Sequence, residues 1–376
     1  MRTSFLTAAA VVASSLAFHC GAEGGSSGTE GAPPPPAAGA PTAAPSPTTP
    51  PTSPPAQEEP GPAPGFHVVA QYTDVGHGLA YANGFVYSVN YTEDSVWVFD
   101  AKTFKTVKKL PVGLGPGRLA VAEPYVFVVN MMASDPGDAY VSVIDTRSNT
   151  VTKSLTVSQK QQGGDPDNYP MTSFPWAAHP VGKSLFVTFP TNAEPDVLPV
   201  EIGTWTEQPL WAAGSGPGSL AGVGDRIAVV NGRGITSADD DAVLLYSTTG
   251  QLLKTLETSG RLHESIVVGD KIVVARAPSD HAKGELVVID PSSLSYDAIP
   301  TCSGPVGVAS NGGSTVFTAC QWARRVDEVD IAARTVKSSI DLTTVTPAVT
   351  NPRGIAVTPA GDVWIESDGL ISAFVR

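Results

Sequence analysis

The sequence predicts an all-β protein, a seven-bladed β-propeller built from four-stranded antiparallel blades. Three observations carry that expectation. From residue 66 onward no stretch shows a helix period. Short runs of Val, Ile, Phe and Tyr alternate instead with clusters of Gly, Pro, Asn and Asp, the pattern of strands joined by turns. Those runs recur as seven similar units, a period that marks a repeat architecture. The seventh unit is one strand short at Arg376, and an unassigned strand precedes the first unit at about residues 67–73.

In chain order, the first element is MRTSFLTAAAVVASSLAFHC. Arg2 precedes an apolar stretch from Phe5 to Phe18, too short to cross a bilayer comfortably, so residues 1–19 read as a secretory signal. Residues 20–65 are rich in Pro, Gly and Ser and have little apolar surface to bury against their ordering entropy. They are expected to form an extended, disordered tether. A Cys that closes the apolar stretch, followed by GAEGGSSG and a long spacer, resembles a bacterial lipoprotein. That resemblance implies cleavage before Cys20 and its lipidation, although Phe18 and His19 stand where the family carries small residues. Ordinary cleavage after Ala17, with Ser15 and Ala17 as the small residues, is the other reading.

The propeller spans residues 66–376. Its first strands are LAYANG (79–84), LAVAEP (119–124), WAAHPVG (176–182), LAGVGD (220–225), ESIVVGD (264–270), VGVASNG (306–312) and IAVTPAGD (355–362). Second strands follow after tight turns, as in FVYSVN and YVFVVN. Third strands follow a loop, as in SVWVFD and YVSVID. Fourth strands complete six units, among them TVKKLPV, EQPLWAA (207–213) and SYDAIPT (295–301). HVVAQYTDVGHG (67–78) precedes the first unit as TVKKLPVGLGPG (106–117) precedes the second. It therefore fits the open edge of the last sheet and removes the unpaired edge that an incomplete ring would expose.

The wording of the repeat adds a family. YSVN…VWVFDAKTFKTVKKLPVGLGPG and FVVN…VSVIDTRSNTVTKSLTV resemble the YVTN β-propeller repeat family. Asn90, Asn130 and Asn231 match its Asn, and Asp100, Asp145, Asp290 and Asp330 match its Asp. Val112, Gly113 and Pro116 match its exit. The likeness covers about 310 residues and weakens in units three and seven. It implies the seven-bladed fold and leaves the function open, because propellers host binding, scaffolding and several chemistries.

The chain carries a net charge of −13. Only Arg2, Glu23, Glu30, Glu58 and Glu59 lie in the first 65 residues, so the remainder keeps 22 basic and 32 acidic residues and a net −10. That balance argues against nucleic acid, which needs clustered Lys and Arg, and against adhesion to an anionic membrane. Membrane attachment is expected only through a lipid at Cys20, and the chain is expected to be a monomer. With Cys20 acylated, Cys302 and Cys320 remain as a pair in an oxidising compartment. Cys302 reads as part of a loop entering a first strand and Cys320 as the end of the neighbouring second strand, so antiparallel pairing brings them together for a disulfide.

Strand direction sorts the loops. Those from fourth strand to next first strand share a face with those from second to third strand, and these are the loops that vary. Around the axis on that face the candidates are Arg118, Trp176, His179, Ser219, His263 and Arg353. A ring of Arg and His can hold an anionic group, or it can pair with nearby carboxylates and plug the channel. The outer rim is acidic, with Glu93, Asp94, Asp135, Asp138, Glu194 and Asp196. Asp239, Asp240 and Asp241 form a weak calcium candidate without the usual ligand spacing. No cofactor or resident metal is otherwise expected, because the chain lacks GxSxG, HExxH and a phosphate-cradling loop.

The resulting expectation is an exported propeller, surface-tethered as an outer-membrane lipoprotein or else periplasmic or secreted. It would act as a binding or scaffold module for a small ligand or a protein, the acidic rim favouring a basic partner. Three His, His179, His263 and His281, fall on this face; the alternative is a lactonase-like hydrolase or lyase using His179 and His263 with Arg118 and Arg353 as anion clamps.

Overall fold

Strand burial follows directly from the repeat. The second strands are apolar on both faces because each blade is sandwiched between two others: Phe85–Asn90, Tyr125–Asn130 and Ser184–Phe189 are buried throughout except at their first residue. Outer strands are polar because they face water, as in Thr106–Pro111 and Thr335–Asp341. A computed structural model describes residues 64–71, 78–133, 137–156, 174–189, 196–213, 216–231, 242–258, 260–278 and 283–376. Cys20 with the signal and nearly all of the tether, His281, and Asp239, Asp240 and Asp241 fall outside the described residues. Among the described residues no helix is long and apolar enough to cross a membrane.

The described residues form seven antiparallel sheets, within one compact unit that spans Glu58–Arg376. Each sheet is a blade whose first strand lies innermost. The inner strands are Leu79–Ala82, Pro116–Ala122, Ala177–Val181, Pro217–Val223, Arg261–Val268, Pro305–Ser310 and Pro352–Val357. Each touches the next, and the last touches the first, so the ring is closed. Closure in sequence comes from the N-terminal strand Gly65–Gln71. It pairs antiparallel with Leu370–Val375, from Gly65 opposite Val375 to Gln71 opposite Leu370, and completes blade seven.

The core lies between blades. Phe127, Tyr140 and Val143 of blade two pack with Leu185, Val187, Phe189 and Leu198 of blade three. Val86, Trp97 and Phe99 of blade one pack with Trp364, Ile371 and Ala373 of blade seven. Trp364 is fully buried there, with Phe99 and Phe104 at ring centroid distances of 5.9 and 5.1 Å.

The repeated Asp is a turn device. Asp100 Oδ1 accepts backbone N–H bonds from Lys102 and Thr103 at 3.0 and 2.7 Å. Asp290 does the same with Ser292 and Ser293, and Asp330 with Ala332 and Ala333. Four residues after each Asp the chain turns through positive φ without glycine, at Phe104 (61°), Leu294 (54°) and Arg334 (59°). The carboxylate thus compensates a backbone conformation that L-residues rarely adopt.

Two elements differ from expectation. The outer strand of blade three, expected as 207–213, exists only as Thr206–Glu207 and Trp211–Ala212. Pro209 has no N–H for the ladder and interrupts it. The outer strand of blade five runs on to Ser303, so Cys302 lies in a strand and not in a loop entering blade six. The Cys302–Cys320 disulfide, with Cα atoms 5.9 Å apart, consequently joins blade five to blade six.

Candidate functional site

A cavity of about 580 Å³ runs along the axis, walled by the inner strands of all seven blades. That size falls in the range of small-molecule sites. Its two charged side chains among the lining residues are Arg118 of blade two and Glu264 of blade five. Arg118 is the third residue of Pro116–Ala122 and Glu264 the fourth of Arg261–Val268, in the half of each strand nearer the loops of the variable face, so they mark the mouth of the channel. Ser219 and Ser265 line the same region, while His179 lies two residues further along its strand.

A common backbone feature builds this mouth. In blades two, four, five, six and seven the register shifts at the start of the inner strand, between Pro116 and Arg118, Pro217 and Ser219, Leu262 and Ser265, Pro305 and Gly307, and Pro352 and Gly354. A bulge sets two residues against one partner and re-aims the side chains beside it. It delivers Arg118, Ser219 and Glu264 to the wall. His263 and Arg353 are the bulged residues of their blades, half-buried and not on the wall. Periodicity alone cannot register this one-residue slip.

Arg118 is half-buried, and burial pushes its pKa down while the field of Glu264 pulls it back up. Its guanidinium lies 5.6 Å from the centroid of the Trp176 ring, within cation–π range. Among the described residues no side chain or carbonyl accepts a hydrogen bond from it, and it is not in ion-pair contact with Glu264. Arginine carries five donors in a planar fork. The Arg118 side chain lines the cavity.

Ser219 is engaged differently. Its hydroxyl lies 2.8 Å from that of Ser265 and accepts the Ser265 N–H at 3.1 Å, so it ties blade four to blade five at the wall. His179 donates a ring N–H to the carbonyl of Gly222. Burial nevertheless lowers its pKa to about 4, so the imidazole is neutral at ordinary pH. Trp176 supports Arg118 from behind the wall. Glu264 is the residue that sequence reasoning passed over; the visible signal was a charge opening the otherwise apolar run ESIVV.

Asp135 and Glu194 of the acidic rim fall outside the described residues, and two of the described rim carboxylates are engaged locally. Asp94 Oδ1 accepts the N–H of Gly115 at 2.7 Å, and Glu93 accepts from Trp97 Nε1 at 3.1 Å and meets Lys109 at 3.5 Å. These two carboxylates fix the loop. One further cluster, Cys302, Cys320 and Asp327, brings ligand atoms within 4.8 Å of one another, but its sulfurs are joined in the disulfide and are not thiolates.

No family model and no curated protein matches the sequence. Solved structures match in fold. Hydrazine synthase of Kuenenia stuttgartiensis superposes with a TM-score of 0.63 at 14% identity, over 82% of this chain and 96% of that one. Streptogramin B lyase gives 0.59 at 13% identity, over 82% and 96%. The β-propeller domain of Myceliophteria thermophila Cps50 (Swd1) gives 0.58 at 12% identity, over 83% and 100%. Identities this low establish the propeller fold and nothing about activity.

Proposed function

We propose that this chain is an exported binding module of the YVTN-repeat type, held off a membrane by a lipid at Cys20, which takes a small ligand at the variable-loop mouth of its channel. The observation that carries this reading is Arg118: a guanidinium inside a cavity, backed by Trp176, with no acceptor among the described residues. An anionic group from a ligand would meet these donors at the channel mouth with charge-assisted hydrogen bonds. A ligand that binds only the folded state raises the unfolding temperature by mass action. A thermal-shift screen of the full chain with small carboxylates, sugars, amino acids and phosphates should therefore find stabilisers that lose their effect on Arg118→Gln. If every compound acts equally on both proteins, the mouth is not the binding site.

Anchoring and export rest on the resemblance at residues 1–20. Replacing Cys20 with Ser should move the protein from membrane to soluble fraction. Unchanged partitioning refutes the lipid anchor.

A second reading, a hydrolase or lyase on the same scaffold, is favoured by one observation. His179 lines the cavity as a neutral imidazole with one nitrogen committed to Gly222, which leaves the other to accept a proton. It is the weaker reading because His263 and Arg353, turned off the wall by their bulges, supply neither a second base nor a second clamp. Turnover of a bound compound that disappears in His179→Asn, with binding retained, would establish it.

A further inference from the structure

We infer that Cys302, Cys320 and Asp327 form a redox-gated site for one thiophilic divalent cation of the zinc class. The site is closed while the disulfide stands and opens to metal when the bond is reduced. It is independent of the channel mouth.

The two sulfurs and a carboxylate oxygen of Asp327 all lie within 4.8 Å of one another. A tetrahedral zinc ion holds sulfur at about 2.3 Å, which spaces its sulfur ligands by about 3.8 Å. The freed thiols reach that spacing by parting from bonding distance, on backbones whose Cα atoms stand 5.9 Å apart. Thr301 Oγ1 lies 3.3 Å from Cys302 Sγ and 3.2 Å from Asp327 Oδ2, so it offers a fourth, oxygen ligand. Cys302, Cys320 and Asp327 are all buried, so the cluster belongs to the packed junction of blades five and six. Asp327 is oriented from outside it. Ser339 donates to Oδ1 at 2.7 Å, and Arg325 meets the two oxygens at 2.8 and 3.0 Å. Such outer partners are what fix a ligating carboxylate. The metal takes the place on Asp327 that the Thr301 hydroxyl proton now fills.

The repeat does not call for a carboxylate at this position. Three residues before the turn Asp, blades one, two and five carry Trp97, Ser142 and Val287, and blade six carries Asp327. All four are buried. The one acid among them falls against the cysteine pair.

Charge decides the occupant. With the disulfide intact, Asp327 and Arg325 balance each other. A dithiol reductant passes two electrons and two protons to the sulfurs and leaves as its own disulfide. The resulting thiols are neutral. As thiolates they would add two negative charges beside a buried carboxylate, which is costly without a counter-charge. A dication supplies two positive charges, displaces both thiol protons to solvent and returns the sum to zero. Two sulfur ligands favour zinc over calcium and magnesium, which take oxygen. The ion then ties blade five to blade six in place of the covalent bond.

The test uses the full chain with Cys20→Ser, reduced by dithiothreitol and desalted without oxygen, with cobalt(II) as the optical probe and zinc as competitor. If the bond resists reduction in the folded chain, it is reduced in urea and the chain refolded with metal. The expected result is one cobalt per reduced chain, with a sulfur-to-metal charge-transfer band and tetrahedral visible bands that one equivalent of zinc removes. The oxidised chain and the Cys302→Ala, Cys320→Ala double variant should show neither band. Zinc should raise the melting temperature of the reduced chain and leave that of the oxidised chain unchanged. Asp327→Asn should weaken binding at least about tenfold. X-ray absorption of the zinc form serves if that variant does not fold, and should show two sulfur neighbours at about 2.3 Å and oxygen at about 2.0 Å. Equal binding by oxidised and reduced chains, a zinc ion without sulfur neighbours, or affinity untouched by Asp327→Asn overturns the inference. So does a reduced chain that binds no metal, or one that binds it only with loss of its melting transition.

Discussion

Gly113 lies directly beneath the carboxamide of Asn130. A Cβ on Gly113 would fall 2.5 Å from Asn130 Nδ2 and 2.6 Å from the carbonyl oxygen of Ala139. The same Nδ2 donates to that carbonyl at 2.9 Å and to Ser142 Oγ at 3.0 Å, and the Gly113 N–H donates to Ser142 Oγ at 3.1 Å. The strand-end Asn and the exit Gly, which are separate letters in the repeat, form one contact where blade one hands over to blade two. Gly113→Ala should therefore destabilise by about 2–4 kcal/mol, because neither backbone nor carboxamide has room to yield. Gly84→Ala is the control: its φ is +82° but nothing lies within 4 Å of the added methyl, and about 1 kcal/mol of strain is expected. Urea midpoints that place both variants level would remove the packing argument.

The pH profile of stability should show two separate losses on acidification. His179 has a folded pKa of about 4 against an ordinary value of 6.5, so between those values the unfolded chain takes up the proton first. Stability is full above pH 6.5 and falls toward pH 4, by roughly 1–3 kcal/mol for a ring beside a water-accessible channel. Asp145, held down to about 2 by hydrogen bonds from Arg147, and Asp290, lowered by Ser292 and Lys271, act later. They contribute above the normal carboxylate range and lose that contribution below pH 4. His179→Asn should flatten the upper limb and spare the lower one. An unchanged upper limb would assign it to another group.

Reduction should loosen one blade junction. The Cys302–Cys320 bond closes an 18-residue loop and spans blades five and six, and a loop of that size is worth about 3 kcal/mol in the chain-entropy account. Cys302→Ala with Cys320→Ala, or a phosphine reductant, should lower the melting temperature. Hydrogen exchange should rise first in Ser295–Ser303 and Thr315–Cys320. A melting curve indifferent to reductant would show that packing alone holds the junction.

Ring closure depends on the strand furthest from it in sequence. Deleting residues 65–71 exposes the whole edge of Leu370–Val375 and removes Val69 and Ala70 from the packing around Trp364. Such an edge recruits other chains. The deletion should give a less stable protein that self-associates in analytical ultracentrifugation. A monomer of unaltered stability would mean that the N-terminal strand is dispensable.

The repeat made most of the fold legible. A strand wedged between two identical neighbours must be apolar on both faces, so FVYSVN and YVFVVN announce themselves. The Asp of VFDAKTF and VIDPSSL announces the turn that follows. The candidate site was legible only in part, because bulges at the strand starts decide which of two adjacent residues faces the axis. His263 and Glu264 are neighbours in sequence, and the bulge puts Glu264 on the wall. Similarly, Cys302 reads from the sequence as a loop residue, yet the outer strand of blade five runs on through it to Ser303.

By itself the sequence determined the number of blades, their strand order and the split closure, since these follow from local hydrophobic pattern and the count of repeats. Only the tertiary structure decided that Arg118 and Glu264 line one cavity. That relationship joins residues 146 positions apart through five bulged strands and a closed ring. Local pattern specifies which strands form; the direction of a side chain at the axis depends on backbone register and on neighbours that the chain reaches only when the ring closes.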